Sequence, residues 1–180
     1  MLRVDTARNL LTRDAALADK ILVDMGSQAE IVIADIRRLV YELRPPSLDE
    51  LGLISALRHH AKEMMQTSSL HITVDGPERL PLLPAAWEVA LYRITLEALT
   101  NVIRHSQASQ CQVRLGFSGD VSLEIRDNGR GLSPERRIGV GLNSMQERAA
   151  ELGGICEIAS VPGGGTVVSA RLPLPAIEAL

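Results

Sequence analysis

A strand-like pattern runs directly into a glycine-rich turn in the sequence EIRDNGRGL, residues 124–132. Asp127 ends the alternating pattern, and Gly129 and Gly131 follow it. A carboxylate at the floor of a pocket can accept a hydrogen bond from an exocyclic amine, which would favour adenine over guanine. The two glycines permit positive φ angles and let a flat ring approach the backbone. A simple strand-ending turn is the alternative, because Asp-Asn-Gly is a common turn sequence.

Two further glycine clusters weaken that alternative. The sequence GVGL, residues 139–142, opens a helical pattern, and glycines at a helix N-terminus form a ready-made phosphate site. The sequence GGGT, residues 163–166, follows later in the chain. We assign Gly163 and Gly164 to a hairpin turn, and Thr166 is a further candidate contact to a nucleotide.

A predicted helix carries another group of polar residues. Glu97, Asn101 and His105 are spaced four residues apart and therefore lie along one side of this helix. An exposed asparagine is the common explanation, although asparagine in a helix interior costs helix propensity. The functional alternative is that Glu97 and Asn101 present oxygens to a hydrated Mg²⁺, which prefers a few protein oxygens together with phosphate oxygens. The order of this helix, DNGRG, GVGL and GGGT indicates a purine triphosphate site more strongly than any one motif does.

The elements that must position these motifs follow from hydrophobic periodicity. From residue 70 onward the pattern reads β-α-β-β-α-β-β, which predicts an α+β fold. We expect a two-layer α/β sandwich with one mixed sheet and helices on one face. Gly153 and Gly154 are expected to end the second helix. The predicted elements are a strand at 70–76, a helix at 84–106, a hairpin at 109–129, a helix at 141–154 and a hairpin at 155–174.

A proline break divides the chain at LRPPSLDELGL, residues 43–53. Apolar residues at helical spacing predict a long amphipathic helix over residues 21–43, which Pro45 and Pro46 end. A second helix is predicted over residues 53–65. The expected parts are a helical segment at 1–45, a connector with a helix at 46–69, and the site-bearing domain at 70–180.

The composition excludes several classes of function. The net charge of -3 over 180 residues gives no indication of nucleic acid as a partner. Hydrophobic residues make up 46% and aromatic residues only 2%, so the core must be aliphatic. No apolar run approaches the length of a membrane span, so no membrane segment is expected in this chain. Cys111 and Cys156 lie in alternating apolar segments, which favours two buried thiols in a reducing cytoplasm over a disulfide or a metal site.

The motif order resembles the ATP-binding fold shared by sensor histidine kinases, gyrase, Hsp90 and MutL, the Bergerat or GHKL fold. Over residues 70–174, EALTNVIRHSQAS is similar to the kinase N box, DNGRG and GVGLNSMQERAAELGG to two glycine boxes, and GGGT to the last one. LRPPSLDELGLISALR, residues 43–58, resembles the connector after the dimerisation helices in nitrate-sensor and DesK-like histidine kinases. The chain is therefore identified as a member of this subfamily, with the catalytic ATP-binding domain and the second dimerisation helix.

The resemblance implies a role for each matching residue. Asp127 would bind the adenine amine, in a pocket shaped by Gly129 and Gly131. Asn101 would hold Mg²⁺, and Glu97 would polarise a water molecule or the metal shell. The further contacts to ATP would come from Arg104 near a phosphate, the adjacent His105, Gly139 and Gly141 beside the phosphates, and Leu142 at the helix start.

The segment of residues 130–140 would form a mobile lid over the triphosphate. Equal hydrogen exchange in this segment with and without ATP would contradict the lid.

The helix at 21–43 would pair with its dimer mate in a four-helix bundle of the full-length kinase. If no partner helix covers it, its apolar stripe should cause the chain to associate, and this association should increase with protein concentration. Light scattering that shows a monomer across the micromolar range would contradict this expectation.

No histidine lies in the motif that carries the phosphoacceptor in this subfamily. The four histidines are His59, His60, His71 and His105, and the first two are expected on a solvated helix face. We expect the chain to bind ATP and to phosphorylate a histidine supplied by the dimerisation helix of the full-length kinase. That phosphate would pass to an aspartate of a response regulator. The fragment should not phosphorylate itself, and a cytoplasmic location is expected whether or not the full-length protein has a membrane anchor.

Two other functions remain open on the sequence alone. A protein serine kinase of the anti-sigma type would use the same pocket, but the connector at 43–58 and the long N-terminal helix argue against it. In a non-catalytic ATP-binding adaptor that helix would bind a partner, and the pocket would be a relic. The intact set of Glu97, Asn101 and Asp127 argues against a relic, which should have lost some of these residues. A phosphotransfer assay separates the two kinases, and measured ATP binding tests the adaptor. The GHL-type ATPases usually carry a further domain and match less well.

Overall fold

The chain divides into two units, Met1–Pro45 and Pro46–Leu180. The computed structural model describes residues 10, 13–15, 17–26, 44–77, 81–132 and 140–174. In the first unit, residues 17–26 are helical, and Leu22 and Val23 on this helix are exposed. Residues 27–43 of the predicted amphipathic helix lie outside the described residues, so association through its apolar stripe stays a prediction.

The alternating segments of the second unit pair into a five-stranded sheet with the order β1-β2-β3-β5-β4. The first two strands pair in parallel, and the other three pairings are antiparallel, so the sheet is mixed. Both predicted hairpins are present in this sheet. The strands are β1 (His71–Asp75), β2 (Gln110–Ser118), β3 (Asp120–Asp127), β4 (Ile155–Ser160) and β5 (Thr166–Pro173).

Four α-helices accompany the sheet in the described part of the second unit. The helix whose polar edge consists of Glu97, Asn101 and His105 is α-helical only to Asn101. A π-helical turn, Val102–Ser106, completes it. The prediction of a regular helix to residue 106 is therefore wrong in its last turn. None of the described helices is long and apolar enough to cross a membrane. The helices are α1 (Pro46–Leu51), α2 (Leu53–Thr67), α3 (Ala85–Asn101) and α4 (Val140–Ala150).

The core lies between the helices and one face of the sheet. Every second residue of β3 is buried. The apolar ones, Val121, Leu123 and Ile125, belong to one cluster with Leu91 and Ile94 of α3 and Leu57 of α2. The opposite face of the sheet is polar, as shown by the exposed ion pair in which Arg114 Nη1 lies 3.8 Å from Glu124 Oε1. The core is aliphatic as expected, and the predicted two-layer α+β fold is confirmed.

Two sets of hydrogen bonds fix the start of α3 and the end of α4. The indole N–H of Trp87, in the first turn of α3, donates to the Pro173 carbonyl at 2.9 Å and joins this helix to β5. The N–H groups of Gly153 and Gly154 donate to the carbonyls of Ala150 and Ala149, both at 2.9 Å. Since Gly153 has a φ of +71°, this is a Schellman cap, and it ends α4 where the glycine pair predicted.

The two histidines of α2 differ in environment. His59 is exposed as expected, but His60 is half-buried, and its ring lies 6.2 Å from the Tyr92 ring in an edge-on contact. Burial lowers the pKa of His60, while the nearby Glu63 carboxylate acts in the opposite direction. The expectation of a solvated position is therefore wrong for His60, because α2 packs this side chain against α3.

Both thiols are free and buried, as the alternating pattern predicted. Burial, together with the negative charge of Asp127, raises the pKa of Cys111 to about 12. Burial, with a smaller contribution from Glu157, raises the pKa of Cys156 to about 11. An unfolded chain would lose these protons near pH 8.5. Above that pH the native state binds more protons than the unfolded state, so the free energy of unfolding falls as the pH rises towards 11.

We expect iodoacetamide to alkylate the native protein far more slowly than the urea-unfolded protein at pH 8.5, because only the thiolate reacts. Mass spectrometry of peptides containing Cys111 and Cys156 measures both rates, with a free cysteine peptide as the control for reagent activity. Equal rates in the native and unfolded protein would contradict the burial of the thiols.

Candidate functional site

A cavity lies where the C-terminal end of β3 meets α3, α4 and the start of β5. About 470 Å³ of empty space, part of it open to solvent, lies within its walls. Six residues of the predicted site line it: Asn101, His105, Asp127, Gly131, Leu142 and Thr166. Ser106 and seven apolar residues complete the lining: Ala98, Val102, Ile125, Leu132, Met145, Ile158 and Val168. Motifs that lie far apart in the sequence therefore converge on one mostly apolar cavity.

Asp127 forms the polar floor of this cavity. It is the last residue of β3, and only 5% of its surface is exposed. Its Oδ1 atom accepts a hydrogen bond from the Gly129 N–H at 2.7 Å, and its Oδ2 atom accepts one from the Thr166 N–H at 3.2 Å. These two bonds fix the plane of the carboxylate. Each oxygen has two acceptor positions, so capacity remains for a donor that enters the cavity.

Gly129 serves close packing rather than an unusual backbone angle. Gly131 has a φ of +76° as predicted, but Gly129 is not among the glycines with positive φ. A Cβ on Gly129 would collide with the Ser106 carbonyl oxygen and would lie 2.7 Å from the Ser106 Cβ. The expectation of a positive φ at Gly129 is therefore wrong, and the glycine is needed because the turn lies directly against the π-helical turn.

Gly165 packs directly against Asp127, a contact that the sequence analysis missed. It has a φ of +95°, and a Cβ at this position would collide with the Asp127 carbonyl oxygen. The hairpin turn at Gly163 and Gly164 is present as assigned, with the Gly164 N–H donating to the Val161 carbonyl at 3.0 Å. A third consecutive glycine exceeds what such a turn requires, and this excess is the signal that could have revealed Gly165.

The polar edge of α3 reaches the cavity at its C-terminal end. The Asn101 Nδ2 atom donates to Glu97 Oε1 at 3.1 Å, so the two side chains lie side by side as the spacing predicted. Asn101 and His105 line the cavity, whereas Arg104 is exposed and lies outside the lining. The π-helical turn changes the rotation per residue after Asn101, and such turns are frequent at functional sites.

The first turn of α4 lies against Glu97. A Cβ on Gly141 would collide with Glu97 Oε1 and would lie 2.9 Å from its Cδ, so the missing side chain leaves space for this carboxylate. Leu142 lines the cavity. Gly139 and most of the expected lid, residues 133–139, lie outside the described residues, so their roles stay predictions.

Two members of the DNGRG turn bond away from the cavity. The Asn128 Oδ1 atom accepts hydrogen bonds from the N–H groups of Ser109 at 3.0 Å and Gln110 at 2.9 Å. The Arg130 Nε donates to the His105 carbonyl at 2.9 Å. Arg130 is the first residue of the expected lid, and its side chain bonds to the end of the π-helical turn. The lid itself stays a prediction.

This fold and this cavity define a class of protein. The chain belongs to the family of histidine kinase-, DNA gyrase B- and HSP90-like ATPases, whose family model matches residues 87–176, half of the chain. The match contains α3 from its third residue onward, the DNGRG turn, α4 and the GGGT hairpin. Membership in a family of ATPases implies an ATP-binding domain.

Within that family, the curated relatives are sensor histidine kinases. The chain is 36% identical over 143 residues to the sensor histidine kinase LiaS of Bacillus subtilis, covering 78% of this chain and 39% of LiaS. It is also 36% identical over 167 residues to the sensor histidine kinase MctS of Rhizobium johnstonii, covering 89% of this chain and 35% of MctS. The chain thus spans less than half the length of either relative. The identification as a histidine kinase-type ATP-binding domain is confirmed.

A solved structure supports the fold. The histidine kinase domain of the blue-light activated histidine kinase EL346 from Erythrobacter litoralis superposes with a TM-score of 0.62. The superposition covers 96% of this chain and 93% of that domain, at 18% sequence identity. At this identity the likeness concerns the fold alone.

Proposed function

We propose that this chain binds ATP with Mg²⁺ and transfers the γ-phosphate to a histidine on the dimerisation helix of a longer sensor kinase. The phosphohistidine would then pass its phosphate to an aspartate of a response regulator. The observation that carries the proposal is the buried Asp127 carboxylate, held by two backbone N–H groups at the floor of an apolar cavity. Asn101 and His105 line the wall of the same cavity.

The floor of the cavity suits adenine. Asp127 can accept a hydrogen bond from the exocyclic amine of adenine, whereas guanine presents a carbonyl at the matching position and would meet an acceptor. The apolar lining, which includes Ile125, Met145 and Ile158, suits the faces of a flat ring. Two acceptors that face each other in a buried site, with no donor between them, are costly. The cavity should therefore favour ATP over GTP.

The phosphates would lie between α3 and the first turn of α4. The N–H groups of a helix N-terminus attract anions, and the first turn of α4 lies beside Glu97. Since Asn101 donates through Nδ2, its Oδ1 atom is available as a ligand, and the Glu97 carboxylate adds a second hard oxygen donor. No group of three or more His, Cys, Asp or Glu side chains that could hold a metal exists in the part of the chain that the structure describes. A metal here therefore needs phosphate oxygens as further ligands.

These donors fit Mg²⁺, which prefers few protein oxygens and retains its other ligands from phosphate and water. When bound, Mg²⁺ would neutralise part of the negative charge of the phosphates. The chain's own contribution is positioning: the carboxylate of Asp127 orients the base, and the α3 wall orients the phosphates. Positioning and charge stabilisation account for most of the catalysis in phosphoryl transfer.

The proposal is tested by mixing the chain with ATP labelled at the γ-phosphate, Mg²⁺ and a histidine-bearing dimerisation helix. We expect label on the helix that is lost in acid and stable in base, as a phosphohistidine is. Acid-stable label on a serine-bearing partner would instead support the serine kinase. ATP binding without any transfer would support the adaptor, and GTP binding as tight as ATP binding would contradict the role of Asp127.

The contact between Glu97 and α4 yields a further expected result. In Gly141→Ala, the new methyl group displaces the end of the Glu97 side chain, which is flexible, so the free energy of unfolding should change by less than about 1 kcal/mol. The bond from Asn101 to Glu97 is lost, and ATP·Mg²⁺ affinity should fall roughly five- to tenfold. Calorimetric titration measures this affinity.

A matched control is available on the polar face of the sheet. A Cβ on Gly116 would lie 2.6 Å from the Ser122 Oγ, which is again the movable end of a side chain. Gly116→Ala should therefore cost similar strain and leave ATP affinity unchanged. Equal ATP affinity in the two variants would show that Glu97 has no part in nucleotide binding.

A further inference from the structure

The residues of the DNGRG turn differ in what they contact. Asp127 and Gly131 line the cavity. Asn128 and Arg130 bond instead to residues 105–110, the chain that leaves the π-helical turn and enters β2. The turn therefore has one set of residues for the cavity and another that holds the neighbouring helix end.

Arg130 makes two bonds to consecutive carbonyls of that helix end. Its backbone N–H donates to the Ser106 carbonyl at 2.9 Å, and its Nε donates to the His105 carbonyl at 2.9 Å. Gly129 lies directly against the same Ser106 carbonyl. A backbone bond, a side-chain bond and a close packing contact thus act at adjacent positions of the two segments.

The helix itself supplies no partner for these carbonyls. The last carbonyl groups of a helix lack N–H donors from a following turn. Gln107 has a left-handed conformation, with a φ of 56°, and turns the chain out of the helix. A positive guanidinium at this end also interacts favourably with the helix dipole. Arg130 therefore provides both donors and charge where the helix end requires them.

We propose that Arg130 is a positioning residue that holds the π-helical turn so that His105 and Asn101 meet the phosphates of the bound nucleotide. This inference rests on the proposed function. The Asp127 carboxylate is held by different bonds, from Gly129 and Thr166, so the loss of the Arg130 side chain leaves the adenine floor in place. The effect of Arg130 should thus depend on whether the ligand carries phosphates.

The test compares ATP·Mg²⁺ with adenosine. In Arg130→Ala, we expect ATP·Mg²⁺ affinity to fall roughly five- to tenfold, because a charge-assisted hydrogen bond is lost at an exposed position. Adenosine affinity should stay within about twofold of wild type. Arg130→Lys, which keeps the charge and a donor, should recover most of the ATP affinity. Calorimetry measures ATP binding, and NMR titration measures the weaker binding of adenosine.

The matched control is Arg114→Ala, which removes an exposed arginine whose partner is Glu124 on the polar face of the sheet. This variant should bind both ligands like wild type. Equal weakening of ATP and adenosine by Arg130→Ala would indicate general damage to the fold and overturn the positioning role. Unchanged ATP affinity would overturn it as well.

Two further outcomes separate this inference from the proposed function. If wild type binds no ATP, the proposed function fails and takes the inference with it. If wild type binds ATP and Arg130→Ala binds it equally well, only the inference fails. Should Arg130→Ala not fold, Arg130→Gln carries the same test: a loss for ATP·Mg²⁺ but not for adenosine supports the role, and no loss overturns it.

Discussion

Asp127→Asn is expected to lose most of the affinity for ATP. The substitution replaces a charge-assisted hydrogen bond to the adenine amine, which contributes about 1.5–3 kcal/mol in a buried site. That loss corresponds to a roughly ten- to hundredfold weaker Kd. A calorimetric titration of wild type and variant with ATP and Mg²⁺ measures the change.

The variant should also be less stable, because both carboxylate oxygens already accept backbone hydrogen bonds. An asparagine has one oxygen and one NH₂ group. Whichever way its amide is turned, the NH₂ group faces the N–H of either Gly129 or Thr166, and one buried donor is left without an acceptor. The free energy of unfolding should fall by about 1–3 kcal/mol. Urea unfolding measures this loss.

The control for this prediction is Asp75→Asn. Asp75 is an exposed residue at the end of the edge strand β1, where its Oδ2 accepts a bond from Gln112 Nε2 at 2.8 Å. The same change of charge there should alter neither ATP affinity nor stability by more than a few tenths of a kcal/mol. Wild-type ATP affinity in Asp127→Asn would overturn the assignment of the adenine site.

Gly165→Ala is expected to disrupt both the hairpin and the cavity floor. The residue has a φ of +95°, and its new Cβ would collide with the Asp127 carbonyl oxygen, which belongs to the backbone and cannot rotate away. Strain of the left-handed conformation costs about 1–2 kcal/mol, and forcing the strands apart adds about 1–3 kcal/mol. ATP binding should be lost even where the variant remains folded, because the floor residue itself is displaced.

Gly163→Ala separates backbone strain from the collision. Gly163 has a similar φ of +89°, and nothing lies within 4 Å of the position of its Cβ. This control should show the strain alone and bind ATP like wild type. The difference in urea midpoint and in Kd between the two variants measures the close approach of Gly165 to Asp127. Identical behaviour of the two variants would refute that contact as a requirement of the site.

Much of the fold was predictable because its signals are local. Alternation of apolar residues defined β2 and β3, and Gly153 and Gly154 ended α4 in the cap that they predicted. These signals act over a few residues, through side-chain alternation and backbone angles that glycine permits. Tertiary packing does not need to be known for them to be read.

The site was predictable in its residue types but not in its contacts. Asp127, Asn101 and Thr166 were candidates because their chemistry suits a nucleotide, and the structure brings all three to one cavity. The close packing that requires glycine at positions 129 and 165 involves residues more than 20 positions away in the chain. No periodicity within one segment could reveal such a contact.

The sequence by itself determined the five strands, the helices α2, α3 and α4, and the order of the polar and glycine motifs, because each depends on neighbours within about one or two turns of chain. Only the tertiary structure decided that α3 ends in a π-helical turn and that Arg130 bonds to the last carbonyls of that turn. These features arise where two segments that are distant in sequence pack against each other. The contacts between their atoms set the local geometry.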